Sequence, residues 1–161
     1  QGVAAEAPSR ARVLTCVRDA IQTALPGAPV IPFGSSVTGL LLPTLSDVDV
    51  TIYPRGPRDE ARKDKCKTLG GVMTVLRERQ IACSKRPAIE ILRPGVCVPL
   101  IKFAEQESGL PFDVTFDERD GPLNTCVIGS HLQVHPPLAP LILLLKVYLR
   151  QHHWNDTASG G

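Results

Sequence analysis

The sequence has no apolar run long enough to cross a bilayer and no pattern typical of a secretory signal. It also lacks the cysteine patterns of stabilised extracellular or zinc-binding proteins. Its five cysteines are an odd number, and none belongs to a Cys-x-x-Cys motif. This usage argues against a disulfide framework or a zinc cluster and favours a reducing compartment. We therefore expect an intracellular protein that does not act at a membrane.

Aromatic residues are also scarce, at 4% of the chain, whereas the hydrophobic content of 43% is typical of a globular protein. The length of 161 residues suits one domain with a sizeable core. The chain begins with Gln1 rather than Met, so we expect a fragment or a processed product.

The net charge of +2 is unevenly distributed along the chain. Basic residues predominate from Arg55 to Lys102, and acidic residues predominate from Glu105 to Asp120. A basic block beside an acidic one suits a protein that holds a polyanion against metal ions. A solvated surface of mixed charge explains the same pattern equally well.

Two carboxylates lie close together in a predicted strand that spans residues 46–53. Asp47 and Asp49 are two positions apart among β-branched neighbours, so both side chains point to the same face. Adjacent anionic groups repel each other unless a cation lies between them, and Mg²⁺ prefers such oxygen ligands. Two ordinary strand-end acids are the simpler explanation of an Asp-x-Asp pair taken alone.

A Gly-Ser turn precedes this strand, and a further acid lies far downstream. The Gly34-Ser35 turn has three features that suit phosphate binding: a backbone that a phosphate can approach closely, a free N–H and a hydroxyl donor. Asp113 lies in a second β-branched strand predicted at residues 111–116. Three carboxylates that meet at one point can hold two divalent cations.

The segment from Pro32 to Ile52 resembles the signature of nucleotidyltransferases of the DNA polymerase beta superfamily. That signature is a Gly-Ser turn, a later Gly and a Ser-Asp-x-Asp strand, here Gly34-Ser35, Gly39 and Ser46 to Asp49. Within the superfamily the segment is most similar to template-independent RNA-tailing enzymes, in particular the poly(A) polymerases linked to the nuclear exosome. Residues 98–102 and 112–116 are similar to the same family.

The resemblance implies an α/β (α+β) fold, namely a palm with a mixed sheet and flanking helices, followed by the start of a helical domain. It divides the chain into an N-terminal helix and lead-in at 1–28, the palm at 29–120 and a truncated helical central domain at 121–161. It also implies that Asp113 lies on a strand next to the first carboxylates.

The resemblance further implies an RNA 3′-terminal nucleotidyltransferase that adds AMP from ATP without a template, with UTP use left open. Asp47, Asp49 and Asp113 would be catalytic and would bind Mg²⁺ or Mn²⁺. The partners would be an RNA 3′ end, a nucleoside triphosphate and proteins of an RNA-processing complex. The compartment implied is the nucleus, with the mitochondrion left open.

The nucleotide contacts that the resemblance implies are Gly34, Ser35, Ser46, Asp120, Gly121, Lys146 and Arg150. Lys146 lies on an apolar helix predicted at 137–152, and Arg150 follows one turn later on the same side. A lysine there could also merely extend its charge to solvent. Ser46 could instead cap a turn. Asp120-Gly121 replaces the Asn-Gly of the family, and Asp accepts from a ribose hydroxyl but cannot donate to one.

Two other functions fit parts of the pattern. A catalytically weak or inactive member could serve as a scaffold in a ribonucleoprotein complex, since Asp120 departs from the family. A small enzyme that modifies antibiotics or proteins shares the Gly-Ser and Asp-x-Asp elements, but not the lysine-bearing helix. The chain's histidines form no pattern with cysteine at metal spacing, so we expect surface or core histidines.

Local patterns predict the remaining elements. A helix from Ser9 to Leu25 follows a loose lead-in and stops at Pro26-Gly27. A helix at 61–79 is expected to be interrupted at Gly70-Gly71. Short strands are expected at 30–33, at 80–83, at 88–92 and after Pro99, and a helix at 121–132.

Overall fold

The computed structural model describes residues 2–42, 46–56, 64–83 and 99–154, with side chains from residue 10 onward. Four strands form one mixed sheet in the order β1-β2-β4-β3. Their bounds are Val30–Phe33 for β1, Val48–Ile52 for β2, Leu100–Ala104 for β3 and Pro111–Phe116 for β4. β2 and β4 are parallel, whereas β1 and β3 run antiparallel to their neighbours. The predicted mixed sheet is confirmed.

The described residues form five helices beside the sheet: α1 (Gly2–Ala24), α2 (Ser35–Thr38), α3 (Lys65–Glu78), α4 (Asp120–Val134) and α5 (Leu138–Gln151). α1 packs against α3, and α3 packs against β3 and β4. The fully buried residues of this layer include Val17, Ile21, Leu69, Val72 and Leu76. The core therefore lies between one face of the sheet and the pair α1 and α3.

Buried and partly exposed side chains alternate along the two central strands, so the sheet has one face in this core and one polar face. Val48, Val50, Phe112 and Val114 are at most 2% exposed, whereas Asp49, which lies between the two valines, is only partly buried. Because neighbouring side chains of a strand point to opposite faces, the acidic residues are directed away from α1 and α3. The core thus fixes the strands, and the opposite face is available for polar groups.

The N-terminal helix is longer than predicted. α1 begins at Gly2, so the expected lead-in and the cap at Ser9 are wrong. The first residues are rich in alanine, which has the highest intrinsic helix propensity, and the helix continues through them. Its end agrees with the prediction, since Gly27 adopts a positive φ of 76° just beyond it.

α3 is continuous, so the predicted interruption at Gly70-Gly71 is also wrong. Two features offset the low helix propensity of these glycines. The Asp64 side chain caps the helix by accepting a 2.9 Å hydrogen bond from the Lys67 backbone N–H. Burial of the predicted core face, which is complete at Leu69, Val72 and Leu76 and partial at Val75, fixes the rest of the helix.

The other predicted elements agree with the structure within a few residues. β3 begins directly after Pro99, and α4 and α5 extend over the predicted segments. β2 begins at Val48, so Asp47 immediately precedes the strand. The strand expected at 80–83 is reduced to a single bridge between Ala82 and Glu105, and the strand expected at 88–92 lies outside the described residues. Within the described part of the chain, no helix is both long and apolar enough to span a bilayer.

Alanine substitution tests the continuity of α3. A Cβ at Gly71 would meet nothing within 4 Å, so we expect Gly71→Ala to raise the free energy of unfolding by about 1 kcal/mol. Gly109 provides the contrast, because its φ of 70° is unfavourable for alanine. Gly109→Ala should therefore lower the free energy of unfolding by about 1 kcal/mol. Urea unfolding followed by circular dichroism measures both. A Gly71→Ala protein less stable than the parent would contradict a continuous helix.

Candidate metal centre and nucleotide site

Three carboxylates converge on the polar face of the sheet. β2 and β4 are parallel neighbours in a register that places Asp49 opposite Asp113. Asp47 precedes β2 by one residue. One carboxylate oxygen from each of these three residues lies within 4.8 Å of the others. The predicted proximity of the three acids is confirmed, and this carboxylate cluster is the only such group of possible metal ligands among the described residues.

The electrostatic state of Asp49 reflects this crowding. Burial, followed by the neighbouring charges of Asp47 and Asp113, raises the pKa of Asp49 to about 7, although Lys102 and Lys146 oppose the rise. Without a bound cation, the Asp49 carboxyl group therefore keeps a proton over much of the acidic pH range. A divalent cation held by all three oxygen ligands would relieve the same repulsion.

Lys102 is a neighbour of the cluster that the sequence analysis did not select as a site residue. It lies opposite Asp113 in the antiparallel pair of β3 and β4, and its Nζ donates a 2.6 Å hydrogen bond to Asp113 Oδ2. The available signal was a single cation between two residues that prove to be buried, Ile101 and Phe103. The sequence alone does not say which strand lies beside β4, so this signal could not be connected to Asp113.

The Lys102–Asp113 pair alters the acidity of both partners. Burial raises the pKa of the Asp113 carboxyl group, and the hydrogen bond and charge of Lys102 restrain that rise. Burial would lower the pKa of Lys102, but the Asp113 hydrogen bond and the three acidic charges together raise it. Lys102 is therefore a permanent positive charge beside the cluster.

Gly34 packs directly against the carboxylate of Asp49. Its φ of 72° lies in the left-handed region, and a Cβ at this position would overlap Asp49 Oδ2. A side chain here would therefore push Asp49 out of the cluster. Gly39, at the other end of α2, has a similar φ of 76°, but a Cβ there would meet nothing within 4 Å.

Of the two backbone N–H groups in the Gly34-Ser35 turn, that of Gly34 is engaged within the protein. This N–H donates a 2.7 Å hydrogen bond to Thr125 Oγ1, and the Thr125 hydroxyl donates in turn to the Gly121 carbonyl at 2.8 Å. Thr125 is buried on α4 and connects that helix to the turn before α2. A contact between residues so distant in the chain leaves no local signal in the sequence.

The two serines differ in their surroundings. Ser46 is 6% exposed, and its Oγ accepts a 2.9 Å hydrogen bond from the Leu42 N–H. Its carbonyl accepts a hydrogen bond from Arg10 Nη1 at 3.1 Å. These contacts give Ser46 a structural role in the turn before β2. Ser35 begins α2, directly after Gly34, and is partly exposed.

Asp120 and Gly121 begin α4. Asp120 is exposed, and its N–H donates a 2.9 Å hydrogen bond to Glu118 Oε1. Gly121 packs on an aromatic ring, since a Cβ there would lie 2.5 Å from Cε2 of Phe33. This packing explains the glycine without a ligand, and the predicted nucleotide contacts of both residues stay predictions.

Lys146 extends from α5 towards the turn after α2. Its Nζ donates a 2.9 Å hydrogen bond to the Leu40 carbonyl, and its charge lowers the pKa of Asp49. The structure therefore brings Lys146 to the edge of the cluster. Arg150, one turn later, is exposed, and its nucleotide contact stays a prediction. The four histidines, His131, His135, His152 and His153, are all exposed.

Comparison with known families identifies the architecture. Residues 2–133 match the model of the family described as "Poly(A) RNA polymerase, mitochondrial-like, central palm domain". The chain belongs to this family. The expected kinship with RNA-tailing nucleotidyltransferases is confirmed, as is the expected palm fold.

Curated relatives of this palm family agree with the assignment. Poly(A) RNA polymerase protein 2 of Saccharomyces cerevisiae is 29% identical over 152 residues, which are 94% of this chain and 24% of the relative. The inactive non-canonical poly(A) RNA polymerase protein Trf4-2 of Drosophila melanogaster is 28% identical over 155 residues, 94% of this chain and 35% of the relative. The chain thus spans about a quarter to a third of these proteins.

A solved structure resembles the palm over nearly its whole length. The polymerase core of TRAMP, an RNA surveillance complex, superposes with a TM-score of 0.78 and 27% identity. The match covers 96% of this chain and 45% of that one.

A pair of glycine substitutions tests the contact between Gly34 and Asp49. Gly39→Ala should cost about 1–2 kcal/mol in urea unfolding, because Gly39 has a φ of 76° and a ψ of 5°, in the left-handed helical region. Gly34→Ala should cost more, because its φ of 72° and ψ of −150° belong to a region that is essentially confined to glycine and because a Cβ would overlap Asp49 Oδ2. Only Gly34→Ala displaces the Asp49 carboxylate, and it should weaken Mn²⁺ binding about tenfold or more. Electron paramagnetic resonance of free Mn²⁺ measures the binding. Equal Mn²⁺ affinities in the two variants would contradict this role of Gly34.

The raised pKa of Asp49 predicts a pH-dependent stability of the metal-free chain. Between the unfolded value of 3.8 and the folded value of about 7, the folded state binds the additional proton. This contribution to stability is complete below the lower value and is lost as the pH rises through the higher one. The melting temperature in the presence of a chelator should therefore fall between about pH 4 and about pH 7.

Asp49→Asn should remove most of that fall, because the amide does not titrate. Asp19→Asn, on the exposed side of α1, should retain the fall and serves as the matched control. Differential scanning fluorimetry across the pH range measures both variants. An unchanged pH dependence in Asp49→Asn would show that Asp49 does not carry it.

Proposed function

We propose that this chain is the catalytic palm of an RNA 3′-terminal nucleotidyltransferase that adds AMP from ATP to RNA without a template. The observation that carries the proposal is the convergence of Asp47, Asp49 and Asp113, within 4.8 Å, in a poly(A) RNA polymerase palm. Neither the carboxylate cluster nor the family match suffices alone, because acidic clusters occur without catalysis and one fold can host several activities.

The cluster suits Mg²⁺ or Mn²⁺. It offers carboxylate oxygens, which these hard cations prefer, and burial together with the charges of Asp47 and Asp113 raises the pKa of Asp49 in spite of Lys102 and Lys146. Asp47, Asp49 and Asp113 would hold the cations. When bound, divalent cations supply Lewis-acid activation of the α-phosphate and increase the acidity of the attacking hydroxyl.

The chain's own residues would position the triphosphate. Lys146 already places its ammonium group near Asp49, and it would exchange the Leu40 carbonyl for phosphate oxygens. Ser35 offers a hydroxyl at the turn where Gly34 brings the backbone against Asp49. Arg150 lies on the side of α5 that carries Lys146. The Ser46 hydroxyl accepts a hydrogen bond from the Leu42 N–H and so ties the residues just before β2 to Leu42.

Asp113 would orient the RNA 3′-hydroxyl. Its raised pKa makes it a better proton acceptor than an ordinary carboxylate, and it lies opposite Asp49, so the hydroxyl would be directed towards the α-phosphate. Asp120 and Gly121 begin α4 beside Phe33, and there the Asp120 carboxylate would accept from a ribose hydroxyl.

A surface at the C-terminal end of the described chain supports the proposed domain division. α5 exposes Leu141, Leu144 and Leu145 by 52% to 67% of their surface. We therefore assign residues 1–28 to the N-terminal helix, 29–120 to the palm and 121–161 to the start of a helical domain. Protein partners in an RNA-processing complex, in the nucleus or the mitochondrion, complete the proposal.

A catalytically inactive scaffold is the second candidate. It is favoured by one observation, that a Drosophila relative of similar identity is an inactive protein. Asp120 in place of the family's asparagine adds to it. The two candidates differ in whether the protein extends RNA, and this can be measured directly.

An extension assay tests the proposed activity. An RNA primer is incubated with the protein, Mg²⁺ and each nucleoside triphosphate in turn, and the products are separated on a gel. We expect extension with ATP, and a loss of about a thousandfold in the double variant Asp47→Ala, Asp49→Ala, because the cations would lose two ligands. Asp19→Ala is the control, since it removes an exposed carboxylate of α1.

Extension by the double variant at the parental rate would refute the mechanism. A preference for UTP over ATP would support the proposed type of reaction but would show that the proposed nucleotide substrate is wrong. A folded parent protein that extends no primer with any nucleotide would favour the scaffold.

A further inference from the structure

Lys102 reaches the carboxylate cluster from the edge of the sheet. In the sheet formed by the described residues, β3 is the last strand beside β4, and Lys102 is directly opposite Asp113 in their register. The ion pair joins Lys102 Nζ to Asp113 Oδ2 at 2.6 Å, slightly shorter than the range of about 2.7–2.9 Å that is usual for a charge-assisted N–H···O hydrogen bond. The Lys102 side chain is 50% exposed and that of Asp113 only 18%, so the pair fixes the more buried partner.

The charge of Lys102 acts on the whole cluster, not only on its hydrogen-bond partner. Lys102 interacts electrostatically with Asp47 and Asp49 as well as with Asp113. Lys146, the other cation near Asp49, donates its hydrogen bond to the Leu40 carbonyl rather than to a carboxylate. Of these two lysines, Lys102 is therefore the one that directly neutralises a carboxylate of the cluster.

We propose that Lys102 is a positioning residue with two linked effects on the carboxylate cluster. Its ion pair holds Asp113 in place, and its positive charge weakens the binding of divalent cations to the three acids. The inference rests on the proposed metal site, because it concerns a competitor for that site. It adds to the proposed function a residue that sets the strength of metal binding.

Direct metal binding tests the competition. Mn²⁺ is titrated into the metal-free 161-residue chain, and free Mn²⁺ is measured by electron paramagnetic resonance. Lys102→Met removes the charge and retains an unbranched side chain, so the dissociation constant for Mn²⁺ should fall about tenfold. Lys102→Arg keeps the charge, and Lys67→Met removes a charge from the exposed side of α3. Both controls should stay within about twofold of the parent.

Metal-free melting temperatures test the positioning effect. Lys102→Met, Asp113→Asn and the double variant are compared in the presence of a chelator. If the ion pair holds Asp113, the effects of the two substitutions are not additive, because each removes the same interaction. If Lys102 instead acted through the packing of its aliphatic chain, Lys102→Met would change the melting temperature equally with and without Asp113→Asn. Lys102→Gln replaces Lys102→Met in both experiments if the methionine variant does not fold.

The outcomes separate this inference from the proposed function. Unchanged or weaker Mn²⁺ binding by Lys102→Met, in a chain whose parent binds Mn²⁺, would overturn the inference alone. A parent that binds no Mn²⁺ would overturn both the metal site and the inference. Additive effects on the melting temperature would overturn the positioning effect. Tighter Mn²⁺ binding together with non-additive melting temperatures would support the whole proposal.

Discussion

Electrostatic repulsion among three carboxylates on one face of a small sheet is the constraint on which the rest of the structure depends. Asp49 and Asp113 are opposite each other in the parallel pair of β2 and β4, and Asp47 immediately precedes β2. The opposite face compensates, because burial of β2 and β4 under α1 and α3 keeps the two strands in register. The hydrophobic core therefore holds together charges that would otherwise separate.

The surroundings of the cluster reduce this repulsion without removing it. Lys102 pairs with Asp113, and Lys146 acts on Asp49 from α5, yet the pKa of Asp49 remains raised to about 7. Gly34 allows the backbone of the turn to approach the Asp49 carboxylate, and this approach leaves less room for water. Such remaining electrostatic repulsion is typical of sites that are completed by a ligand, which we propose here to be a divalent cation and the phosphates of a nucleotide.

Much of this arrangement could be predicted from local sequence. The alternation of residues 46–53 and 111–116 indicated two strands with acids on one face, and the Gly-Ser turn marked the close approach at Gly34. Contacts between distant segments could not be predicted in the same way. The Lys102–Asp113 pair depends on which strand flanks β4, and the Gly34–Thr125 bond depends on the placement of α4. The continuity of α3 through Gly70-Gly71 likewise depends on burial, which outweighs local propensity.

Joint binding of divalent cations by the three acids is measured most directly by the anomalous scattering of a crystal of this chain soaked in Mn²⁺ and a non-hydrolysable nucleotide. We expect an anomalous peak within coordination distance of oxygen atoms from Asp47, Asp49 and Asp113. A peak elsewhere on the surface, or no peak near these carboxylates at a saturating Mn²⁺ concentration, would contradict it.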